Sequence, residues 1–565
     1  MSGVDLKLGP ALRHVDDTTA TVWVETSAPA TFEVRAGAAT AEIPTFTIEG
    51  HHYGLLVLNG LEPGTETPYD VRLDGVRVWP RAGDERPPPT IRTLVPQDEA
   101  PEHDFDIAFG SCRVDRPHEP PYTLSEDEHR EGVGHDALAA LSRDCQAGRR
   151  RVPDLLLMLG DQVYADEGVT PPIRRRQIER RGADSEPTDE VRDFEEYTWL
   201  YADSWGDPDV RWLLATVPTA MIFDDHDVHD DWNTSDAWRA KMHRQPWWEE
   251  RITGAYMSYW VYQHVGNLSP AAMEREQLLA RVRDASARTG DAGPLLREFA
   301  ARADEEVDGH KQSCWSYMRH LGRTRLVVID TRSGRVLGGD RRDMLSDGEW
   351  RQVEGWLHGD VDHWLVASTL PLLLERAAHD VEAWNEAVCK SAWGRLLARA
   401  GELLRQTADL EHWASFERSF AHLVGLLGDL AAGRRGSTPA TVLMLSGDVH
   451  HSYVAPFRYP DSAGVVAPVR QVVSSPLRNA FPRAQRRAFQ FANTETARRV
   501  GRVLRRSVGL PDPPVDWRLS AGPFFGNTVG SLRISGTQVL VRLERAHGGP
   551  DGPTLRVVHQ EHVGR

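Results

Sequence analysis

Between residues 18 and 94, apolar and polar positions alternate over short runs separated by turn residues: TATVWVE, TFEVRAG, YGLLVLNGL, YDVRLDG and TIRTL. Alternation with a period of two places every second side chain on one face, so these runs predict the strands of a small all-β sandwich. From residue 105 the pattern changes to continuous apolar runs that turn polar only at their C-terminal ends: DFDIAFGSC, DLLLMLGD, AMIFDDHD, RLVVIDTR, HWLVASTL, TVLMLSGDVHH and VRQVVSS. Strands of this kind are covered on both faces. Helical stretches such as HDALAALSRDCQAG and SDGEWRQVEGWLHGD lie between them, so the larger unit reads as α/β. In such folds ligands bind beyond the C-terminal strand ends, where the polar residues of this chain sit.

A chain of 565 residues suits two or three domains. The expected division is a sandwich over 1–95, a Pro-rich and acidic linker over 96–104 and the α/β unit over 105–565, with helical insertions near 265–312 and 383–436. Within the sandwich, LEPGTETPYDV resembles the LxPGTxYxV signature of fibronectin type III-like domains, with Tyr69 as the corner tyrosine. The formal charge of −17 argues against stable nucleic-acid binding, and a phosphorylated substrate has to find a local positive spot. One stretch runs against that charge. Residues 483–506, with RAQRR and RRVGRVLRR, read either as a phosphate- or membrane-seeking helix or as a solvated face balancing an acidic body, and the sequence favours the solvated face. The four cysteines, Cys112, Cys145, Cys314 and Cys389, form no CxxC pair. Neither a signal peptide nor a transmembrane run is readable, which leads to the expectation of a cytoplasmic protein. Nothing in the pattern sets an oligomeric state.

Four strand ends carry the candidate chemistry. In Gly160-Asp161-Gln162-Val163-Tyr164 a carboxylate and a phenol three residues later can offer hard oxygen ligands to one metal. In Phe223-Asp224-Asp225-His226-Asp227 three carboxylates crowd a histidine after an apolar strand, a costly arrangement unless a cation neutralises it. In Ser446-Gly447-Asp448-Val449-His450-His451 an extended backbone would put Asp448 and His450 on one face and turn His451 away. In Phe109-Gly110-Ser111-Cys112-Arg113 the thiol would ionise beside a cation, and Arg113 can meet a phosphate oxygen. Each has a bland alternative: an acidic turn with a structural tyrosine, a surface acidic turn, a core histidine, an inert buried thiol. Four such strand ends in one α/β region favour a metal site.

Taken together, FGSC, GDQVY, FDDHDV, the DTR at 330–332 and LSGDVHHS resemble the PhoD-type alkaline phosphatase family of metallophosphoesterases, over about residues 100–545. The resemblance implies a metallophosphoesterase β-sandwich flanked by helices, preceded by a small Ig/fibronectin-like β-domain, acting on phosphate esters. It implies that Cys112, Asp161, Tyr164 and His450 hold an iron(III), with Asp161 bridging, and that Asp225 and Asp448 hold neighbouring calcium ions, with manganese or zinc as other divalent candidates. It implies that His226 assists the leaving group or positions phosphate, and that Arg113 and Arg332 clamp phosphate. The chain departs from the family at Asp227 and at Asp230-Asp231, where paired asparagines are usual, so the extra carboxylates are expected to alter the divalent site. The competing readings are a surface-binding scaffold with a reduced site, and a nuclease or lipid phosphodiesterase.

Overall fold

The computed structural model describes residues 3–96, 104–167, 169–305, 313–338, 341–479, 481–550 and 552–564. Most of the expected linker at 96–104, and the end of the first insertion at 306–312, lie outside them.

The N-terminal strands form two sheets. Leu6–Val15, Thr19–Thr26, His51–Asn59 and Phe46–Ile48 make one, and Ala39–Pro44, Thr31–Ala36, Glu66–Leu73 and Val76–Trp79 the other, with Thr90–Arg92 paired to Glu66–Leu73. Val22, Val24, Phe32, Val34, Leu56 and Val71 fill the space between them. The opposite face of the first sheet is also buried, because Trp23, Tyr53 and Leu55 join the main core of the α/β body. That double burial explains the unbroken LLVL within His51–Asn59, and why Leu6–Val15, buried at nine of its ten positions, lacks the alternating pattern. Polar groups seal the seam: Arg13 donates to the carbonyls of Tyr262 and Gln263 at 2.6 Å each, and Arg211 donates to that of Gly9 at 2.6 Å. The fibronectin-like expectation for Tyr69 needs correcting. Its hydroxyl leaves its own domain and donates to the Ala215 carbonyl at 2.6 Å, so it ties the two units together instead of closing a corner.

The body is a second, larger sandwich. Its six-stranded sheet runs in the order Thr219–Ile222, Leu155–Leu159, Phe105–Gly110, Thr528–Ser535, Gln538–Gly549, Gly552–Gly564. The seven-stranded sheet runs Tyr317–Leu321, Thr324–Ile329, His363–Ser368, Thr441–Ser446, Val469–Val473, His451–Pro456, Ala521–Phe525. The seven apolar runs of the sequence are the parallel strands of these two sheets, three in the first and four in the second. Leu443 and Leu445 face the core shared by both sheets, while Val442 and Met444 face an outer core closed by the helices Asp347–Trp356 and Glu417–Ala431. Both sides of the strand are therefore apolar.

The segment 265–305 is helical and lies on the N-terminal sandwich: Ala292 N–H donates to the Thr47 carbonyl at 2.8 Å, and Arg297 pairs with Glu49. In 383–436 the helices are the end of Arg376–Cys389, Arg395–Thr407 and Glu417–Ala431. Among the described residues no helix is long and apolar enough to cross a membrane.

Candidate metal centre

The C-terminal ends of the parallel strands from both sheets meet in one place. Gly447 lets them approach: a Cβ there would lie 2.2 Å from Ser111 Oγ and 3.2 Å from the Leu159 carbonyl oxygen, so any side chain would push the sheets apart. Ser111 Oγ accepts from Asp448 N–H at 2.8 Å, Cys112 N–H donates to Gly160 O at 3.3 Å, and Gly447 N–H donates to Thr369 O at 2.8 Å. The turns are tight. Cys112, Asp161, Asp448 and His450 all have positive φ, between 50° and 67°. Left-handed backbone is unfavourable for residues other than glycine and gathers where side-chain placement matters more than local comfort. Asp448 and His450 therefore converge through a turn, and the extended segment expected for them is absent. His451 begins the next strand, fully buried, with Nε2 2.9 Å from Glu375.

Cys112, Asp161 and Tyr164 form one knot. The thiol at 3.2 Å and the phenol at 3.4 Å both donate to the same oxygen, Asp161 Oδ2. Asn479 donates to the Tyr164 hydroxyl at 2.9 Å and lies 3.5 Å from His450 Nε2, which links the fourth expected ligand to the other three. Burial pushes the Cys112 thiol, the Tyr164 phenol and the Asp161 carboxyl all well above their ordinary pKa values, and each one's negative neighbours push further. Without a cation the three donors share protons; with one they would present anionic S and O atoms to a common point.

Beside this knot, Asp161, Asp224, Asp225 and Asp448 each offer a carboxylate oxygen within 4.8 Å of the others. Asp161 Oδ1, Asp224 Oδ2 and Asp225 Oδ1 are buried without a hydrogen-bond partner. Burial raises the Asp224 and Asp225 carboxyls, and the positive charge of Arg332 opposes the shift. Asp448 is held below the usual carboxylate range: burial is outweighed by the hydrogen bond from His412, whose Nε2 lies 3.1 Å away while its Nδ1 is held by Glu382 at 2.8 Å. Crowded carboxylates in a dry place, three of whose oxygens accept no hydrogen bond, are the donor set a cation requires, so the residues present fit a metal.

His226 joins the same cluster, with a ring nitrogen within 4.8 Å of Asp161 and Asp225 oxygens. Its ring stacks on Tyr164 with centroids 4.6 Å apart, and Nδ1 is gripped by both oxygens of Asp166 at 3.0 and 3.1 Å. Burial lowers its pKa, but Asp166 and Asp225 carry it well above the ordinary value.

The two arginines expected to clamp phosphate lie in different surroundings. Arg113 turns into the interior, where it pairs with Asp136 at 2.8 Å and donates to Ser204 O and Oγ at 3.0 Å each. Following directly after Cys112 in a tight turn sends its side chain to the opposite side of the loop. Arg332 is at the centre but fully buried, pairing with Asp224, Glu411 and Asp225. It organises the carboxylates of the centre, and its Nη2 makes no hydrogen bond. Among the departures from the family, Asp227 is also structural: its Oδ2 accepts from the Asp161 and Asp224 N–H groups at 2.9 Å each, bracing two of the loops. Asp231 does stand by the site, its N–H donating to Asp225 Oδ2 at 3.2 Å, with its carboxyl raised to about 10 by burial and by Glu411.

Sequence reasoning passed over Asp166, Glu382, Glu411, His412 and Asn479, which follow no strand-end pattern. Asp224 was read as one of three carboxylates in a metal-seeking motif but was given no ion. A cleft of about 780 Å³ opens beside Asn479, lined by Arg116, His118 and Arg130 together with Asp115, Glu131, Glu167, Asp203 and Asp207, so its border is mixed in charge. A larger cavity, about 1310 Å³, lies away from these loops, around His264, Trp315 and Arg319.

A two-sheet α/β sandwich whose strand-end loops gather buried carboxylates, a thiol, a phenol and imidazoles falls in the class of metal-dependent phosphoesterases. Within that class, residues 143–505 match the family model described as PhoD-like phosphatase, and the chain belongs to that family. Residues 3–91 match a domain of unknown function, DUF7800. A solved structure described as "Structure of PhoD" covers 100% of this chain and 91% of its own, with TM-score 0.60 and 13% identity, a likeness of fold. The type III pullulan hydrolase from Thermococcus kodakarensis covers 100% of both chains at 10% identity, but its TM-score of 0.16 carries no argument. No curated protein matches the sequence.

Proposed function

We propose that this protein hydrolyses phosphate esters at a centre in which Cys112, Asp161, Tyr164 and His450 hold iron(III), and Asp225 and Asp448, with Asp161 shared, hold adjacent calcium or another divalent ion. The observation that carries the reading is the group of four buried carboxylates, three of whose oxygens lack any hydrogen-bond partner, next to a thiol and a phenol aimed at one of them. What the ions supply when bound is neutralisation of phosphoryl oxygens and a water acidic enough to give up a proton near neutral or mildly alkaline pH.

The remaining work falls to the protein. Asp166 fixes the tautomer and tilt of His226 through Nδ1, leaving Nε2 to give a proton to the leaving oxygen. The Tyr164 ring under the imidazole limits its rotation. Arg332 offsets part of the negative charge of Asp224, Asp225 and Glu411, so the site can collect carboxylates without forcing the chain apart.

The test is metal analysis of purified protein beside a panel of phosphate mono- and diesters. Asp161→Asn and His450→Ala should lose both bound metal and turnover. His226→Ala should keep its metal and lose about 10²–10⁴-fold in kcat, the usual contribution of a general acid. Full activity in protein stripped of metal would overturn the proposal, and metal loss in His226→Ala would move His226 into the ligand set.

A further inference from the structure

Two surface helices of this protein are turned inside out. In Arg395–Thr407 the buried residues are Gly401 and Arg405, while Leu396 and Leu403 are 83% and 71% exposed. In Glu495–Ser507 the buried residues are Ala497, Arg498, Gly501 and Arg505, while Val500 and Val503 are 53% and 67% exposed. A helix lying on a globular core normally buries its apolar stripe. Here both helices pack on Arg376–Cys389 through their glycines: Gly401 lies against Val388 and Cys389, and Gly501 against Ala377 and Asp380. The inward arginines are satisfied by carboxylates, Arg405 by Glu386 and Glu402, Arg505 by Glu417. The polar face has been used for packing and the apolar face left to the outside. Of the twelve strongly exposed large apolar side chains among the described residues, eight fall within 393–404 and 491–503.

Charge selects the occupant. Residues 483–507 hold eight arginines against one acid, Glu495, in a chain whose net charge is −17. Four of them, Arg483, Arg487, Arg499 and Arg506, are exposed, and Arg486 and Arg502 are half-buried. A second copy of the chain meeting this face symmetrically would set arginines against arginines. A partner that is anionic at its surface and apolar just beneath suits both features at once. We propose that this face docks on an anionic phospholipid bilayer. The helix Arg483–Ala492 that begins the basic stretch touches the catalytic loops, with Phe489 against His451 at 4.7 Å between ring centroids, so docking would hold the metal centre close to the lipid surface. The proposal does not depend on which metals or esters the centre takes.

The experiment is co-sedimentation of the full chain with vesicles of phosphatidylglycerol and, separately, of phosphatidylcholine. Binding to phosphatidylglycerol that weakens with salt, and no binding to phosphatidylcholine, is expected. The variant Leu396→Ser/Leu403→Ser/Val500→Ser/Val503→Ser alters only outward side chains, and it should keep its fold by circular dichroism while binding at least ~100-fold more weakly. Arg487→Gln/Arg499→Gln should weaken binding roughly ten- to thirty-fold and flatten the salt dependence. Failure of the unaltered protein to sediment with phosphatidylglycerol, or equal binding by the four-serine variant, overturns the proposal. So does a dimer in solution that the four-serine variant dissolves, which would give the face to a second copy.

Discussion

His51→Gln should make the protein's stability less dependent on alkaline pH. His51, on a strand of the N-terminal sandwich, lies with Nδ1 3.2 Å from Glu25 and Nε2 2.7 Å from Glu195, which belongs to the helix Phe194–Gly206 of the body. Burial works against the imidazolium, but the hydrogen bonds to Glu195 and Glu25 win and raise its pKa from the ordinary 6.5 to about 9. Glu195 is correspondingly held down to about 2, first by its bond from His51. A shift of that size is worth about 3 kcal/mol at ~1.4 kcal/mol per unit; because the Glu195 side chain is 35% exposed, about 2 kcal/mol is the expected net. The raised histidine contributes in full below pH ~6.5, and its contribution fades as pH climbs through 9. The depressed Glu195 contributes above pH ~4.5 and fades towards 2. The pair therefore stabilises most between about pH 4.5 and 6.5. Urea unfolding followed by tryptophan fluorescence at pH 6 and pH 9.5 measures this directly. The unaltered protein should lose about 2 kcal/mol more between those two pH values than His51→Gln does. Identical pH dependence in the two proteins would show that the charge on His51 does not couple the sandwich to the body.

Three further outcomes are expected. Deleting residues 1–95 uncovers the body surface that packs on Trp23, Tyr53 and Leu55 and strands the Tyr262, Gln263 and Ala215 carbonyls, so the fragment should aggregate on expression; a soluble, active fragment would contradict the shared core. Arg113→Met leaves Asp136 buried beside the lost charge and should cost about 3–5 kcal/mol in denaturant unfolding with KM unchanged, whereas a large rise in KM in a stable variant would restore a phosphate-binding role. If iron(III) sits between Cys112 and Tyr164, the protein is coloured by charge transfer from thiolate and phenolate, and Cys112→Ser and Tyr164→Phe each shift the visible band; a colourless, fully active enzyme excludes that metal.

The parts of this fold that were legible in the sequence are those whose burial is decided by the strand itself. Thr441–Ser446 is apolar at almost every position because sheets and helices cover both its faces, and the same holds for the six other parallel strands, so both their existence and the polar residues at their ends could be read. Ligand-type residues at those ends, Cys112, Asp161, Tyr164, Asp225, Asp448 and His450, followed from that pattern and from the family resemblance it supported. Which way a side chain leaves a turn was not legible. Arg113 and Cys112 are neighbours, yet one enters the interior and the other the knot around Asp161, because the left-handed backbone at Cys112 sets their directions. Glu411 and His412 were beyond reach for a different reason. They arrive from the segment after Arg395–Thr407, 79 residues from Arg332 and 36 from Asp448, and no local periodicity records a contact made only when distant elements pack. The outward Leu396, Leu403, Val500 and Val503 belong to the same category: hydrophobic periodicity marks an amphipathic helix and its two faces, but the tertiary structure decides which face meets the protein.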